Sequence, residues 1–263
     1  MTPMKRVMTI AGSDSGGGAG IEADLKTISA LGAYGCTAIT AVTAQNTQGV
    51  AAVHTLPAEF VALSIKMVLD DIGVDAVKLG MLANEPIIRA VAAALPRHVP
   101  VVLDPVMVAT SGAVLLEDGA IMAMRELLIP QATLITPNLP EAAKLTGLPV
   151  GTGAERIAAG RALLAMGAQA ALIKGGHGTE AQLTDYLITP DEVEAISLPR
   201  LNSTSTHGTG CTMASAIATG LAQRLPLLEA VKQARAYLQE AIRTAPGFGK
   251  GHGPVNHLAR VQS

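Results

Sequence analysis

The sequence predicts an α/β fold, a central and mainly parallel sheet with helices on both faces, and two observations carry that prediction. Short apolar runs alternate with longer amphipathic stretches along the chain. The runs are nearly unbroken rather than alternating with polar residues, the pattern of strands buried on both faces. Strands and helices in this rhythm fold as right-handed crossover units around a parallel sheet.

Each element follows from its residues. Arg6–Ala11, Cys36–Thr43, Ala76–Gly80, Val99–Asp104, Ala132–Thr136 and Ala170–Lys174 read as strands. After the first of them, Ile21, Leu25, Ile28 and Leu31 share one helix face, and Gly32 marks the helix end. Leu183–Ile188 and Val193–Ile196 flank the turn-forming Thr189-Pro190-Asp191-Glu192, which predicts a small antiparallel β-hairpin. Two helices close the chain: one opens at Cys211, and the other carries Leu228, Val231, Ala234, Leu238 and Ile242. No linker, repeat or low-complexity tract interrupts residues 1–263, so a single domain is expected.

Composition removes several classes of function. Charged residues are 15% against 49% hydrophobic, which places most of the chain inside a compact fold rather than in tails. No apolar run reaches the roughly 18 residues of a membrane span, and the start at Met1–Arg6 lacks a secretory signal, so a cytoplasmic protein is expected. A net charge of -2, 2% aromatics and no Trp leave neither the basic field nor the stacking surface of a nucleic-acid binder. Cys36 and Cys211 alone make no disulfide framework, and both are expected as reduced thiols. The expected partner is a small molecule.

Ligands of open α/β sheets bind beyond the carboxyl ends of the strands, so the polar residues that end each apolar run are the site candidates. After the first run, the glycine-rich stretch Gly12–Gly20 exposes backbone amides, but Ile21-Glu22 follows where a P-loop needs Lys and Ser or Thr. A dehydrogenase fingerprint through Gly18, Gly20 and Ala23 lacks its acidic partner near residue 40. Gln45 follows the second run, either as a solvated strand end or as a carboxamide reading a ring nitrogen beside an exocyclic amine. Met81 follows the third, as core filler or as a flexible wall for a flat ring.

The remaining run ends carry charge. Asp104 suits Mg²⁺, which takes one or two carboxylates and leaves its other positions to water and phosphate. Glu141 falls in a first helical turn after Asn138, as a metal ligand, as half of a capping box, or as both. Lys174 stands beside Gly175-Gly176-His177-Gly178, as a phosphate site wants. In Thr206-His207-Gly208-Thr209-Gly210-Cys211 two glycines turn backbone N–H groups inward at a helix start, which builds an anion site. The helix dipole there lowers a thiol pKa, so Cys211 is either a thiolate base or a small buried hydrophobe. Asp104, Glu141, Lys174 and the Gly208–Gly210 loop together are the parts of metal-assisted phosphoryl transfer.

The chain resembles the hydroxymethylpyrimidine and phosphomethylpyrimidine kinases of thiamin biosynthesis, in the ribokinase-like superfamily. The resemblance runs nearly end to end, through Ala11–Ile21, Ala23–Thr27, Leu31–Gly35, Ala44–Thr47, Leu134–Ala142, Lys174–His177 and Thr206–Cys211. It implies a ribokinase-like sheet, a homodimer, and ATP with Mg²⁺. The pyrimidine would lie against Gly12, Ala19, Asp24, Val42, Gln45, Met81 and Val106. ATP would lie by Asn138, Lys174 and Thr206, and the metal by Asp104 and Glu141. Cys211 resembles the catalytic base, with Gly208 and Gly210 stabilising the transferring phosphoryl group. The implied activity converts 4-amino-5-hydroxymethyl-2-methylpyrimidine to its monophosphate and then to the diphosphate. A pyridoxal kinase of the same architecture is the alternative, and a non-catalytic pyrimidine-binding module would not need Asp104, Glu141 and Lys174.

Overall fold

The computed structural model describes residues 3–109, 112–176 and 182–260; Met1, His177 and Gly178, which entered the sequence reading, lie outside the described residues. Among the described residues nine strands form one sheet: β1 (Arg6–Asp14), β2 (Tyr34–Asn46), β3 (Gly49–Thr55), β4 (Ala76–Leu79), β5 (Val101–Leu103), β6 (Leu134–Ile135), β7 (Ala171–Ile173), β8 (Gln182–Ile188) and β9 (Val193–Pro199). Their order across the sheet is β3-β2-β1-β4-β5-β6-β7-β8-β9. The centre, from β2 to β7, is parallel, while β3 at one edge and β8 and β9 at the other pair antiparallel. The helices are α1 (Gly20–Ala30), α2 (Ala58–Asp71), α3 (Glu85–Ala94), α4 (Asp118–Ala123), α5 (Leu139–Thr146), α6 (Gly153–Ala165), α7 (Thr209–Ala222) and α8 (Leu227–Arg243). None of those described is long and apolar enough to cross a membrane.

The sheet divides two hydrophobic cores, and the strands feed them alternately. Val7, Ala76, Val102, Leu134 and Leu172 face α1, α7 and α8, where they meet Ile28, Ile217, Val231 and Tyr237. Their chain neighbours Met8, Val77, Leu103, Ile135 and Ile173 face the other layer and pack with Ile65, Ile88 and Leu163. Period-two alternation of residues that are all apolar is why these runs look unbroken in sequence.

Several strand boundaries differ from those expected. β1 continues through Asp14, so the loop proper is Ser15–Ala19. β2 runs on to Asn46 and returns as β3, which places Gln45 inside a strand; Gly49–Thr55, whose apolar stretch Val50–Val53 is short, is an additional strand at the exposed edge of the sheet. The inner strands β5, β6 and β7 are shorter than expected, which sets Asp104, Thr136 and Lys174 just beyond the ladders. The antiparallel hairpin and the two closing helices form where expected. Cys36 and Cys211 are free thiols.

Candidate active site

On the sheet face toward α1 and α7, the residue two places after each apolar one is polar: Thr9 after Val7, Lys78 after Ala76, Asp104 after Val102, Thr136 after Leu134 and Lys174 after Leu172. Period two carries each side chain to the same face, so the strand ends make a polar row under the N-terminus of α7. There a cleft of about 700 Å³ opens. It is lined by Gly12, Ala19, Gln45, Met81, Asp104, Val106, Asn138, Glu141, Lys174, Thr206, Gly208, Gly210 and Cys211, all expected from the sequence.

Two expected residues are not among its lining. Asp24 is wholly buried on α1, where it accepts from Lys78 Nζ at 2.8 Å, Thr9 Oγ1 at 2.5 Å and Ser215 Oγ at 2.6 Å. Its spacing from Ile21 and Ile28 puts it on the inward face of the helix, and the carboxylate is spent on that cluster rather than offered to a ligand. Val42 is 44% exposed on the opposite face of β2 from its buried neighbour Thr43, which does line the cleft.

At one end, Lys174 Nζ donates to Asp104 Oδ1 at 2.8 Å, and Thr136 Oγ1 donates to the same oxygen at 3.2 Å. α7 begins directly on this pair: a Cβ on Gly210 would stand 3.3 Å from Asp104 and 3.4 Å from Lys174. Gly208, the N-cap, has φ +78, and a Cβ there would meet the Gly18 carbonyl oxygen at 1.8 Å. Only glycine lets the two loops touch. Asn138 and Glu141 form the expected capping box on α5, with Asn138 Oδ1 accepting from the Glu141 amide at 3.0 Å and Glu141 Oε2 from the Asn138 amide at 2.8 Å.

Electrostatics separate these groups. Burial pushes the Glu141 carboxyl up to about 7; Lys174 opposes the rise and Asp104 adds to it. A buried acid short of compensating charge beside a second carboxylate fits a divalent cation. No group of three His, Cys, Asp or Glu side chains is assembled among the described residues, and Mg²⁺ asks for only one or two carboxylates when phosphate and water fill the rest.

Burial also pushes the Cys211 thiol up to about 11; the Lys78 ammonium and a Gly20 backbone hydrogen bond pull it down, and Asp24 and Asp104 push it up. The expected lowering by the helix dipole is therefore corrected: desolvation wins, and the resting group is a thiol.

At the other end, Met81 packs on Gly12, where a Cβ would meet its sulfur at 2.8 Å. Asp14 holds the glycine loop by accepting from the amides of Gly16 at 2.8 Å, Gly18 at 2.9 Å and Ala19 at 2.9 Å. His207 Nε2 donates to it at 2.8 Å. Burial opposes ionisation of Asp14, but the hydrogen bonds from His207, Gln45 and the loop amides outweigh it and hold the carboxyl well below the usual range. Asp14, Ser15 and His207 had no role assigned from sequence; the signal at Asp14 was a carboxylate inside the glycine-rich stretch, three residues past the apolar run.

A ribokinase-like scaffold with carboxylates, a lysine and an anion-binding helix start at its strand ends defines a small-molecule kinase. The chain belongs to the phosphomethylpyrimidine kinase family, whose model matches residues 14–256. It is 50% identical over 262 residues to the hydroxymethylpyrimidine/phosphomethylpyrimidine kinase of Salmonella typhimurium, covering 97% of this chain and 98% of that protein. It is also 50% identical to the thiamine biosynthesis bifunctional protein ThiED of Geobacter sulfurreducens, with 99% of this chain covered but only 54% of that longer protein. Among solved structures, the pyridoxal kinase of Staphylococcus aureus in complex with AMP-PCP and pyridoxal superposes with a TM-score of 0.90 at 34% identity, covering 98% of this chain and 94% of that one.

Proposed function

We propose that this protein phosphorylates 4-amino-5-hydroxymethyl-2-methylpyrimidine with ATP, and then phosphorylates the monophosphate to the diphosphate used in thiamin biosynthesis. The observation that carries the reading is the division of one cleft: Gln45 and Met81 at one end suit a flat aminopyrimidine, and Lys174, Asp104 and the start of α7 suit phosphates at the other. Near-complete alignment with kinases of this name supports it.

In the transfer, the hydroxymethyl oxygen attacks the γ-phosphorus of ATP, the bond to the bridging oxygen breaks, and ADP leaves. Lys174 and the amides of Gly208 to Cys211 neutralise charge on the transferring group, and Asn138 and Thr206 border the nucleotide. Asp104 and Glu141 would hold Mg²⁺, which supplies charge neutralisation at the phosphates when bound. Cys211, once ionised, takes the hydroxyl proton at Sγ; a thiolate of raised pKa is a strong base, and its scarcity at neutral pH is offset in part by that strength.

The protein acts as one kinase domain in the cytoplasm and as a homodimer. α2 supports the dimer, because Phe60, Leu63 and Met67 on it are 53%, 52% and 63% exposed, an apolar face that a second copy would cover. Sedimentation of a single species at twice the chain mass is the expected result.

The pyridoxal kinase likeness favours a second substrate, since pyridoxal also carries a hydroxymethyl arm. Mass spectrometry after incubation with Mg²⁺-ATP and each compound separates the readings. Sequential mono- and diphosphate of the pyrimidine is expected. Phosphate on pyridoxal alone would move the chain to vitamin B6 chemistry.

A further inference from the structure

Gln45 lies in a break of the sheet. The β2–β3 register shifts between Ala44 and Gln45, and such bulges re-aim a side chain at the cost of ladder hydrogen bonds. Ser15 adds bonds from across the loop: its hydroxyl donates to the Gln45 carbonyl at 2.8 Å and accepts from the Gln45 amide at 2.9 Å. The backbone of Gln45 is thus clamped to the glycine-rich loop while it also pairs with Val50 in its own hairpin.

Asp14 acts on the side chain. It is 2% exposed, its oxygens take the amides of Gly16, Gly18 and Ala19 and the His207 ring, and the Gln45 carboxamide helps to hold it ionised. Four other donors already fill the carboxylate, so it has little left for a ligand. An ionised carboxylate only accepts, which fixes two things. His207 Nε2 carries a hydrogen, and the NH₂ end of Gln45 turns toward Asp14. The carbonyl oxygen and the second N–H of Gln45 then remain for the cleft, an acceptor beside a donor, matched to an exocyclic amine beside a ring nitrogen.

We propose that Asp14 and Ser15 are positioning residues that set the orientation of Gln45, and through it the selectivity for an aminopyrimidine edge. This rests on the reading that Gln45 contacts the pyrimidine. An Asn at position 14 presents a donor as well as an acceptor, so the Gln45 amide is no longer held one way round. His207 ties the same carboxylate to the loop before α7, so Asp14 joins the two ends of the cleft.

The test is a double-mutant cycle on the full chain with Mg²⁺-ATP and the hydroxymethylpyrimidine, reading KM for each substrate separately. Asp14→Asn is expected to raise the pyrimidine KM about tenfold, the size of one hydrogen bond, and to leave the ATP KM within about twofold. In a Gln45→Ala background the same substitution should add almost nothing, because it acts through that side chain. Ser15→Ala gives a second cycle with a smaller rise, about threefold, and carries the test alone if Asp14→Asn does not fold. Equal rises in both KM values, or penalties that add fully in the Gln45→Ala background, overturn the inference while leaving the kinase reading intact. Failure of the unmodified protein to phosphorylate the pyrimidine removes that reading and the inference with it.

Discussion

Lys78 and Lys174 occupy similar local sequence, each following a short apolar run within two residues of a glycine, and each meets an aspartate at 2.8 Å. Lys78 and Asp24 have fully buried side chains, and Thr9 and Ser215 complete the carboxylate's partners. Lys174 and Asp104 retain 15% and 3% side-chain exposure and line the cleft beside Glu141. The difference is one of position along the strand. Lys78 lies within β4, where α1 and α7 close over it, whereas Lys174 lies one residue past β7, where the sheet has ended. The same ion pair is a tie between layers in one place and a charge set before a ligand in the other.

Substitution should split the two most sharply. Lys78→Met leaves Asp24 buried without its cation, and a cost of about 3–5 kcal/mol is expected in urea unfolding. Lys174→Met should change unfolding far less, because Asp104 lines the cleft and keeps the Thr136 hydroxyl as a donor, while turnover falls about 10²–10³-fold, the loss typical of a preorganised charge at a transition state. Equal unfolding penalties for the two variants would erase the distinction.

Legibility followed the same line. Asp104, Lys174 and Glu141 were readable because each stands where an apolar run stops and a turn or helix begins. Lys78 was hidden by Leu79, which prolongs the run past it, and its partner is 54 residues away on another element. Asp24 was assigned to substrate on resemblance, although its spacing from Ile21 and Ile28 already pointed inward. The parallel core was legible because its strands are apolar on both faces; β3 was not, because its apolar stretch Val50–Val53 is short and lacks the strict alternation that marks an edge strand. The Cys211 pKa needed the structure, since the helix start was visible in sequence and the depth of burial was not.

Cys211 sharpens the open side. With the thiol pushed up to about 11, the thiolate fraction grows about tenfold per pH unit below that value. If Sγ takes the proton, kcat/KM should climb through pH 7–9 without a plateau from this group, and Cys211→Ala should be slower by about 10²–10⁴-fold and lack the climb, with ATP binding retained in calorimetry. Wild-type turnover in that variant would remove Cys211 from the chemistry.

His257 does the same for the closed side. It is buried against α7, where it lies 3.2 Å from Thr212 Oγ1, and burial, with Lys26 and His207 adding to the effect, lowers its pKa to about 4. Because the folded value lies below the ordinary 6.5, the unfolded chain binds more protons between those values. Stability from this group is therefore complete above about 6.5 and is lost as pH falls toward 4, by an amount on the order of 2 kcal/mol. His257→Gln should flatten that slope in unfolding measured at pH 7 and 5, and an unchanged slope would assign acid sensitivity elsewhere.

Asn138 is the position where the two kinds of role meet, and its expected effect is the smallest. Its side chain caps α5, and it also borders the cleft where ATP is proposed to lie. Asn138→Ala should cost about 1 kcal/mol of stability as a lost cap. It also frees one side of the box that holds Glu141, so if the cap serves the site, the ATP KM should rise while the pyrimidine KM stays level. Asn138→Asp, which keeps the capping acceptor, should restore stability but not the ATP KM, because it adds a negative charge beside the phosphates. An ATP KM unmoved by either change would make Asn138 a helix cap that happens to face the cleft, and would place it with Lys78 rather than with Lys174.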